Sequence, residues 1–290
     1  MPTPAQAAFQ LNFPTDATPR TYRVKTDVEM YVGDLTYRNQ QEARLQLTSR
    51  PDRKATVRGL SFQQTDLNGE HRIDPDLATL RHDLSITRRP DGRIDTLDNH
   101  AQLLTRYKAL RADYERRFPS DPDLTPTFFE RLETIFADPA HLSRSLSQSP
   151  EFELLLPALY ARTYAYESPV EGPTAVIAPL TGALLVPLQT TITRRQPQYP
   201  DVALDLMVEG HLDETSFPYD DTRKLLQALT SVVDIDPVPD VQYILTFEFD
   251  RRNHLLYAGR FVTCVYENLA MSKTVTMLGP DQPTPPSPKR

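Results

Sequence analysis

Residues 241–265 read VQYILTFEFDRRNHLLYAGRFVTCV, two runs rich in alternating apolar and polar residues on either side of a polar turn. An alternation with a period of two places every second side chain on one face of a β-strand, which is typical of a strand with one buried face. The stretch Asp250–Asn253 has the composition of a tight turn. The segment therefore predicts an antiparallel hairpin.

The same alternation occurs elsewhere in the chain. Residues 22–32 and 35–47 predict a hairpin around Gly33-Asp34, and a third strand covers about residues 55–64, with a bulge expected at Gly59. Further strands are predicted at residues 84–86 and near Ile94, joined by the turn Pro90-Asp91-Gly92, and at residues 184–192, 202–208 and 273–278. This many short strands with turn signals indicates an antiparallel sheet.

Between the two strand-rich parts, the hydrophobic period changes to that of a helix. Apolar residues recur at helical spacing from Leu103 to Phe118. Three more helices are predicted where a capping residue precedes a proline, at Thr125-Pro126, Asp138-Pro139 and Ser149-Pro150. A further helix is expected near residues 221–233.

These patterns predict an α+β fold in which a curved antiparallel sheet, or two sheets, packs on a central helical block. Two alternatives stay open, a mixed sheet with parallel pairing and a two-fold internal repeat of the strand-rich halves. The helical block could lie inside the sheet or beside it. The expected division is a flexible N-terminus at 1–20, a first strand-rich half at 21–97, the helical block at 98–166, a second strand-rich half with one helix at 167–278, and a disordered proline-rich tail at 279–290.

The composition narrows the classes of partner. With 32 basic and 39 acidic residues the net charge is −7, which argues against nucleic acid or an anionic membrane surface as the main partner. No stretch approaches the ~18 apolar residues of a membrane span, and the polar N-terminus does not have the pattern of a secretory signal. A cytoplasmic protein is therefore expected. The single cysteine excludes an internal disulfide, and nine glycines provide no phosphate-binding loop, so no cofactor is expected.

The sequence predicts no catalytic residues. Gly59-Leu60-Ser61 lacks the second glycine of a nucleophile elbow, and Cys264 lies in an apolar strand that favours a buried, inert thiol. The densest set of metal-ligand residue types is Glu209, His211 and Asp213, at the end of a predicted strand. The alternative interpretation is a solvated, polar strand end, and no metal is expected elsewhere.

A tyrosine cluster follows the last helix of the central block. Tyr160, Tyr164 and Tyr166 could form the hot spot of a protein interface, because tyrosine is enriched at such sites. The alternative is that these rings cover the edge of the core.

Several short motifs carry a family resemblance. They are Asp91-Gly92-Arg93-Ile94, Leu97-Asp98-Asn99, a long helix with Leu104 and Tyr107, Glu209-Gly210-His211-Leu212, and the hairpin at 250–257. In this layout the chain resembles bacterial β-rich proteins of uncharacterised function, associated with loci of contractile injection or type VI-like secretion effectors. The outline also resembles the half-barrel of lipoprotein carriers, although those proteins carry an export signal that is not found here.

Three functions are compatible with the sequence. The first is a non-enzymatic interaction protein, an adaptor, chaperone or accessory factor for another protein, as the resemblance implies. The second is a carrier or binding module for a small apolar ligand, held between the sheet and the helical block, which requires a sizeable apolar cavity. The third is a hydrolase-type enzyme whose site contains His211, Glu209 and Asp213.

Overall fold

The structure, a computed structural model, describes residues 8–14, 16–119, 121–166, 168–180, 184–267 and 269–281. Its strands are β1 (Phe9–Leu11), β2 (Arg20–Val32), β3 (Leu35–Ser49), β4 (Lys54–Gln64), β5 (Asp83–Arg88), β6 (Ile94–Leu97), β7 (Arg162–Tyr164), β8 (Val170–Glu171), β9 (Ala175–Ile177), β10 (Val186–Arg195), β11 (Leu204–Leu212), β12 (Asp240–Phe249), β13 (Leu255–Tyr266) and β14 (Ala270–Pro280). The helices are α1 (Asp74–Arg81), α2 (His100–Arg117), α3 (Pro126–Ala137), α4 (Pro139–Ser147), α5 (Pro150–Leu155) and α6 (Tyr219–Thr230).

Twelve of the strands form one open sheet. The order is β6-β5-β4-β3-β2-β14-β13-β12-β11-β10-β8, and β9 also pairs with β10. Every pair of these named strands is antiparallel, and one isolated bridge, between Tyr166 and Arg194, is parallel. The α+β fold with a mostly antiparallel sheet is therefore confirmed, and the described strands do not form the mixed sheet that was the alternative.

Strands β2 and β14 join the two halves of the molecule. They pair over the full length of β14, from Val32 opposite Ala270 to Tyr22 opposite Pro280. Each half then continues outward as a meander. Helix α1 lies between β4 and β5 of the first meander, whereas α6 lies between β11 and β12 of the second. A two-fold repeat of the halves is not shown.

The central helices cover one face of the sheet, here called the inner face. Helix α5 contacts β2, β13 and β14, while α4 contacts β6. Each of α3, α4 and α5 begins at the proline that the sequence singled out. Phe152, Leu154 and Leu155 of α5 are buried, and burial of such side chains stabilises the fold by about 1.5–3 kcal/mol each. The helical block thus packs on the sheet.

Both ends of the described chain are more ordered than the sequence suggested. Within the expected flexible N-terminus, β1 pairs with β7 in a separate two-stranded sheet, and Leu11 is fully buried. Within the expected tail, β14 continues to Pro280, and the backbone N–H of Asp281 donates to the carbonyl of Thr21. Residues 1–7, 15 and 282–290 lie outside the described residues. In each case an extended segment pairs with a strand that is distant in the sequence, and the local composition does not reveal such a pairing.

The segment between β4 and β5 is mostly helical. It begins with a short 3-10 helix and continues directly into α1, with Pro75 in the first turn. Its buried residues Leu77, Ala78 and Leu80 pack beneath the sheet edge at β4 and β5. No helix among the described residues has both the length and the apolar character needed to cross a membrane.

Candidate functional site

A cavity of about 230 Å³ lies between the inner face of the sheet and the helical block. Val208 of β11 and Leu245 and Phe247 of β12 line it from the sheet, and Leu156, at the end of α5, lines it from the helices. The strands provide apolar walls because their inward positions alternate with polar outward positions.

One carboxylate, that of Glu153, lines this largely apolar cavity. Glu153 of α5 lines the cavity and accepts a hydrogen bond of 2.5 Å from the Tyr243 hydroxyl. Its other oxygen accepts a hydrogen bond of 2.7 Å from Nε of Arg260 on β13. Burial raises the pKa of Tyr243 well above its ordinary value, and the charge of Glu153 raises it further. Tyr243 therefore stays a neutral donor.

Arg260 is held tightly behind the cavity. It is 7% exposed, and its Nη1 atom has no hydrogen-bond partner among the described residues. A buried guanidinium needs a carboxylate because transfer of an isolated charge from water is costly. Glu153 thus fixes Arg260 and Tyr243 on one side of the cavity. Its position in the first turn of α5 also favours a negative charge through the helix dipole.

The opposite part of the wall is cationic. Arg93, next to the β5–β6 hairpin turn, and Arg144 of α4 both line the cavity. Arg93 pairs with Asp91 at 2.7 Å, whereas the side chain of Arg144 is exposed. The cavity therefore combines an apolar interior with two guanidinium groups able to meet a polar or anionic end of a ligand.

One side of the cavity is formed by the segment that connects the short edge strands β8 and β9. Strands β8 and β9 both pair with β10, and Pro173 and Thr174, between them, line the cavity. The Thr190 hydroxyl donates to the carbonyl of Pro173 at 2.6 Å, and the N–H of Gly172 donates to the carbonyl of Thr190 at 2.8 Å. These two bonds hold the wall in place.

The predicted metal-ligand residues lie on the other face of the same sheet. Glu209 and His211 occupy outward positions of β11, on either side of the inward Gly210, and His211 is exposed. Asp213 accepts a hydrogen bond from Gln189. No group of three or more His, Cys, Asp or Glu residues able to hold a metal ion occurs in the described part of the chain. This arrangement fits the alternative of a solvated strand end.

The tyrosine cluster is mostly part of the core. Tyr160 and Tyr164 are buried, and the Tyr164 hydroxyl donates to the carbonyl of Leu159 at 2.7 Å. Their burial does not fit a solvent-facing hot spot. Tyr166 is half-buried, with the guanidinium carbon of Arg194 4.0 Å from its ring centroid. An interface at Tyr166 alone stays a prediction. The single thiol, Cys264, is buried, which raises its pKa to about 12.

The residues around the cavity were not predicted from the sequence, although the sequence contains one signal for them. Arg260 occupies an inward position of β13, between the buried Ala258 and Val262. A charged residue at an apolar position of a strand requires a buried partner. The partner itself, Glu153, is 107 residues away and could not be identified without the strand order.

A second carboxylate of α5 links the helix to the first half of the sheet. Glu151 lies 3.8 Å from Nε2 of His82 and 3.7 Å from Nη2 of Arg81. Burial acts to raise its pKa, but the His82 ring and the Arg81 charge outweigh burial and lower the pKa to about 2.

We expect Glu151→Gln to destabilise the protein by about 2 kcal/mol at pH 7, less than the full shift implies because 18% of the side chain is exposed. Because the folded-state pKa is lowered, this stabilisation is present above the ordinary glutamate pKa and disappears as the pH falls towards 2. Urea unfolding of both proteins at pH 7 and pH 3 measures the difference. Glu130→Gln, at an exposed position of α3, is the control; an equal effect of the two substitutions at pH 7 would contradict the account.

Comparison with known proteins gives little further information. No family model matches the chain, and no curated protein matches it. Among solved structures, a lipovitellin chain, from a study of lipid–protein interactions in that protein, is similar at 10% identity with a TM-score of 0.43. The match covers 94% of this chain and 26% of the lipovitellin chain. At this TM-score the likeness carries no argument, and the resemblance to secretion-associated proteins stays a prediction.

Proposed function

We propose that this protein binds a small, mostly apolar ligand between its sheet and its helical block. The observation that carries the proposal is the 230 Å³ cavity at this junction, with apolar walls and a few convergent polar groups. Ligand sites in proteins typically have this character. A protein whose helices and sheet packed without such a space would offer no room for a ligand.

The walls indicate the chemistry of the ligand. Val208, Leu245 and Phe247 favour an aliphatic or aromatic body, while Arg93 and Arg144 favour a polar or anionic end. The volume lies below the ~300–1,000 Å³ typical of ligand pockets and therefore favours a small ligand. Octanoate has both properties and is therefore a suitable probe, with octanol as the uncharged counterpart.

We expect Val208→Phe to weaken octanoate binding at least tenfold, because the added ring enters the cavity. Met207→Phe adds a ring to the same strand but on the outer face, and should leave binding unchanged. Isothermal titration calorimetry of the three proteins measures the effect, and urea unfolding verifies that each is folded. Equal binding by all three proteins, or no binding of octanoate and octanol to the unaltered protein at millimolar concentration, would contradict the proposal.

A second candidate function, binding of another protein, is favoured by the free edge of β3. Strand β4 pairs with β3 only from Gln41 onward, and Thr65 hydrogen-bonds the backbone of Gln40. Residues 35–38 therefore have no neighbouring strand on that side within the described part of the sheet. At the tip of this hairpin Leu35 is 77% exposed. Exposed strand edges can accept a strand from a partner.

This candidate is tested by Thr36→Pro together with Leu35→Lys, compared with Lys54→Pro at the start of β4. If the β3 edge binds a protein, the variant with Leu35→Lys and Thr36→Pro should lose a partner that the unaltered protein recovers in affinity purification from the native host. A partner retained by the edge variant would count against this edge.

A further inference from the structure

Arg88 is the most buried charged residue among the described residues. It lies on the inner face of β5, near the edge of the sheet, and is 1% exposed. Its Nε and Nη2 atoms have no hydrogen-bond partner in the described part of the chain. The guanidinium carbon instead lies 4.2 Å from the ring centroid of Phe13 and 5.7 Å from that of Tyr160.

This arrangement leaves a positive charge without a negative partner. A cation–π contact contributes about 0.5–2 kcal/mol, whereas an unpaired charge away from water costs several kcal/mol. Burial accordingly lowers the pKa of Arg88, and the nearby Tyr160 offsets only part of that effect. The other buried arginine described above, Arg260, has a carboxylate at 2.7 Å. Two donor atoms of Arg88, Nε and Nη2, thus remain available for an anion, while a side-chain hydrogen bond with Tyr160 already engages the guanidinium.

A short segment covers this arginine. Phe13 stacks on Tyr160 with ring centroids 4.6 Å apart, and Phe13 itself remains half-buried. The covering segment, residues 8–14, is held through β1, which pairs only with the three residues of β7, and through the carbonyl of Leu11, which accepts from the N–H of Ala161. The segment pairs with no strand of the twelve-stranded sheet, but Leu11 is fully buried, so the half-buried Phe13 is the part of the cover that can be removed by substitution.

We propose that Arg88 and Tyr160 form a binding site for an anionic oxygen group, a phosphate or carboxylate, and that residues 8–14 cover this site. Two parallel N–H···O bonds from one guanidinium suit such a group. Tyr160 is fixed for this role because its N–H donates to the carbonyl of Asp91 at 2.9 Å. The site does not depend on the apolar cavity and is independent of the proposed function.

The test compares variants that open the site with variants that remove its charge. Phe13→Ala opens the cover. Adding Arg88→Met to Phe13→Ala also removes the cation, whereas Arg88→Lys keeps the positive charge but not the planar set of guanidinium donors. Arg58→Met, at an exposed position of β4, controls for general loss of positive charge. The probes are inorganic phosphate and hexyl phosphate, titrated by calorimetry at constant ionic strength.

We expect Phe13→Ala to bind phosphate at least tenfold more tightly than both the unaltered protein and the Phe13→Ala/Arg88→Met protein. In the Phe13→Ala background, Arg88→Lys should bind with intermediate affinity and Arg58→Met should have no effect. Stronger binding of hexyl phosphate than of phosphate indicates the head group of an amphiphile, and equal binding indicates a free anion. Equal affinity with and without Arg88 overturns the proposal. If the Phe13→Ala/Arg88→Met protein fails to fold, the Phe13→Ala/Arg88→Lys protein is compared instead. A phosphate affinity equal to that of Phe13→Ala then also overturns the proposal.

Discussion

Replacing Glu153 with alanine is expected to lower the free energy of unfolding by about 3–5 kcal/mol. The substitution leaves the buried Arg260 without its carboxylate and the Tyr243 hydroxyl without an acceptor. Removal of one partner of a buried pair costs more than the pair contributes, because the remaining charge stays out of water. Urea unfolding followed by circular dichroism measures the effect.

A compensating substitution distinguishes this cause from simple loss of packing. Glu153→Leu combined with Arg260→Met removes both charges and should recover most of the lost stability. Glu153→Gln keeps an acceptor for Tyr243 and should fall between the unaltered protein and Glu153→Ala. A loss below about 1 kcal/mol for Glu153→Ala, the value for an exposed ion pair, would show that the pair is solvated.

Gly92→Ala is expected to destabilise the protein by about 3 kcal/mol or more. Gly92 has a φ of +107°, and a Cβ there would lie 2.3 Å from the carbonyl oxygen of Pro157 and 2.5 Å from the ring of Tyr160. The turn would have to move away from the chain segment that follows α5. The expected result is a lower urea midpoint with an unchanged slope.

Gly33→Ala separates the clash from backbone strain. Gly33 also has a positive φ, +56°, but no heavy atom lies within 4 Å of the Cβ position. Only the conformational cost, about 1–2 kcal/mol, applies there. Similar losses at Gly33 and Gly92 would contradict close packing of the β5–β6 turn against Pro157 and Tyr160.

The sequence specified most local structure because local signals determine it. Alternation in residues 22–32 and 241–249 predicted β2 and β12, and the capping residue before each of Pro126, Pro139 and Pro150 predicted the starts of α3, α4 and α5. The Gly59 bulge also occurs, since the β3–β4 register shifts opposite Gly59 and Ser61. Each of these features depends on residues that are close together in the chain.

The remaining features depend on contacts between distant residues. The pairing of β2 with β14 and the contact of Glu153 with Arg260 cannot be read from local patterns. The candidate metal ligands Glu209 and His211 occupy outward positions of β11, whereas the cavity is lined by the inward Val208. Which of the two sets of positions faces the helices depends on the tertiary packing and not on the residue types of the strand. A useful sequence signal was the charged residue at an inward strand position, as at Arg88 and Arg260.

Binding of a small apolar ligand between the sheet and the helices can be observed through the nuclear Overhauser effect between the methyl group of ¹³C-labelled octanoate and the side chains of the protein. We expect transfer to Val208, Leu245 and Phe247, and loss of this transfer in Val208→Phe but not in Met207→Phe. Transfer only to exposed apolar residues such as Met277 and Tyr257, or no transfer at saturating octanoate, would contradict it.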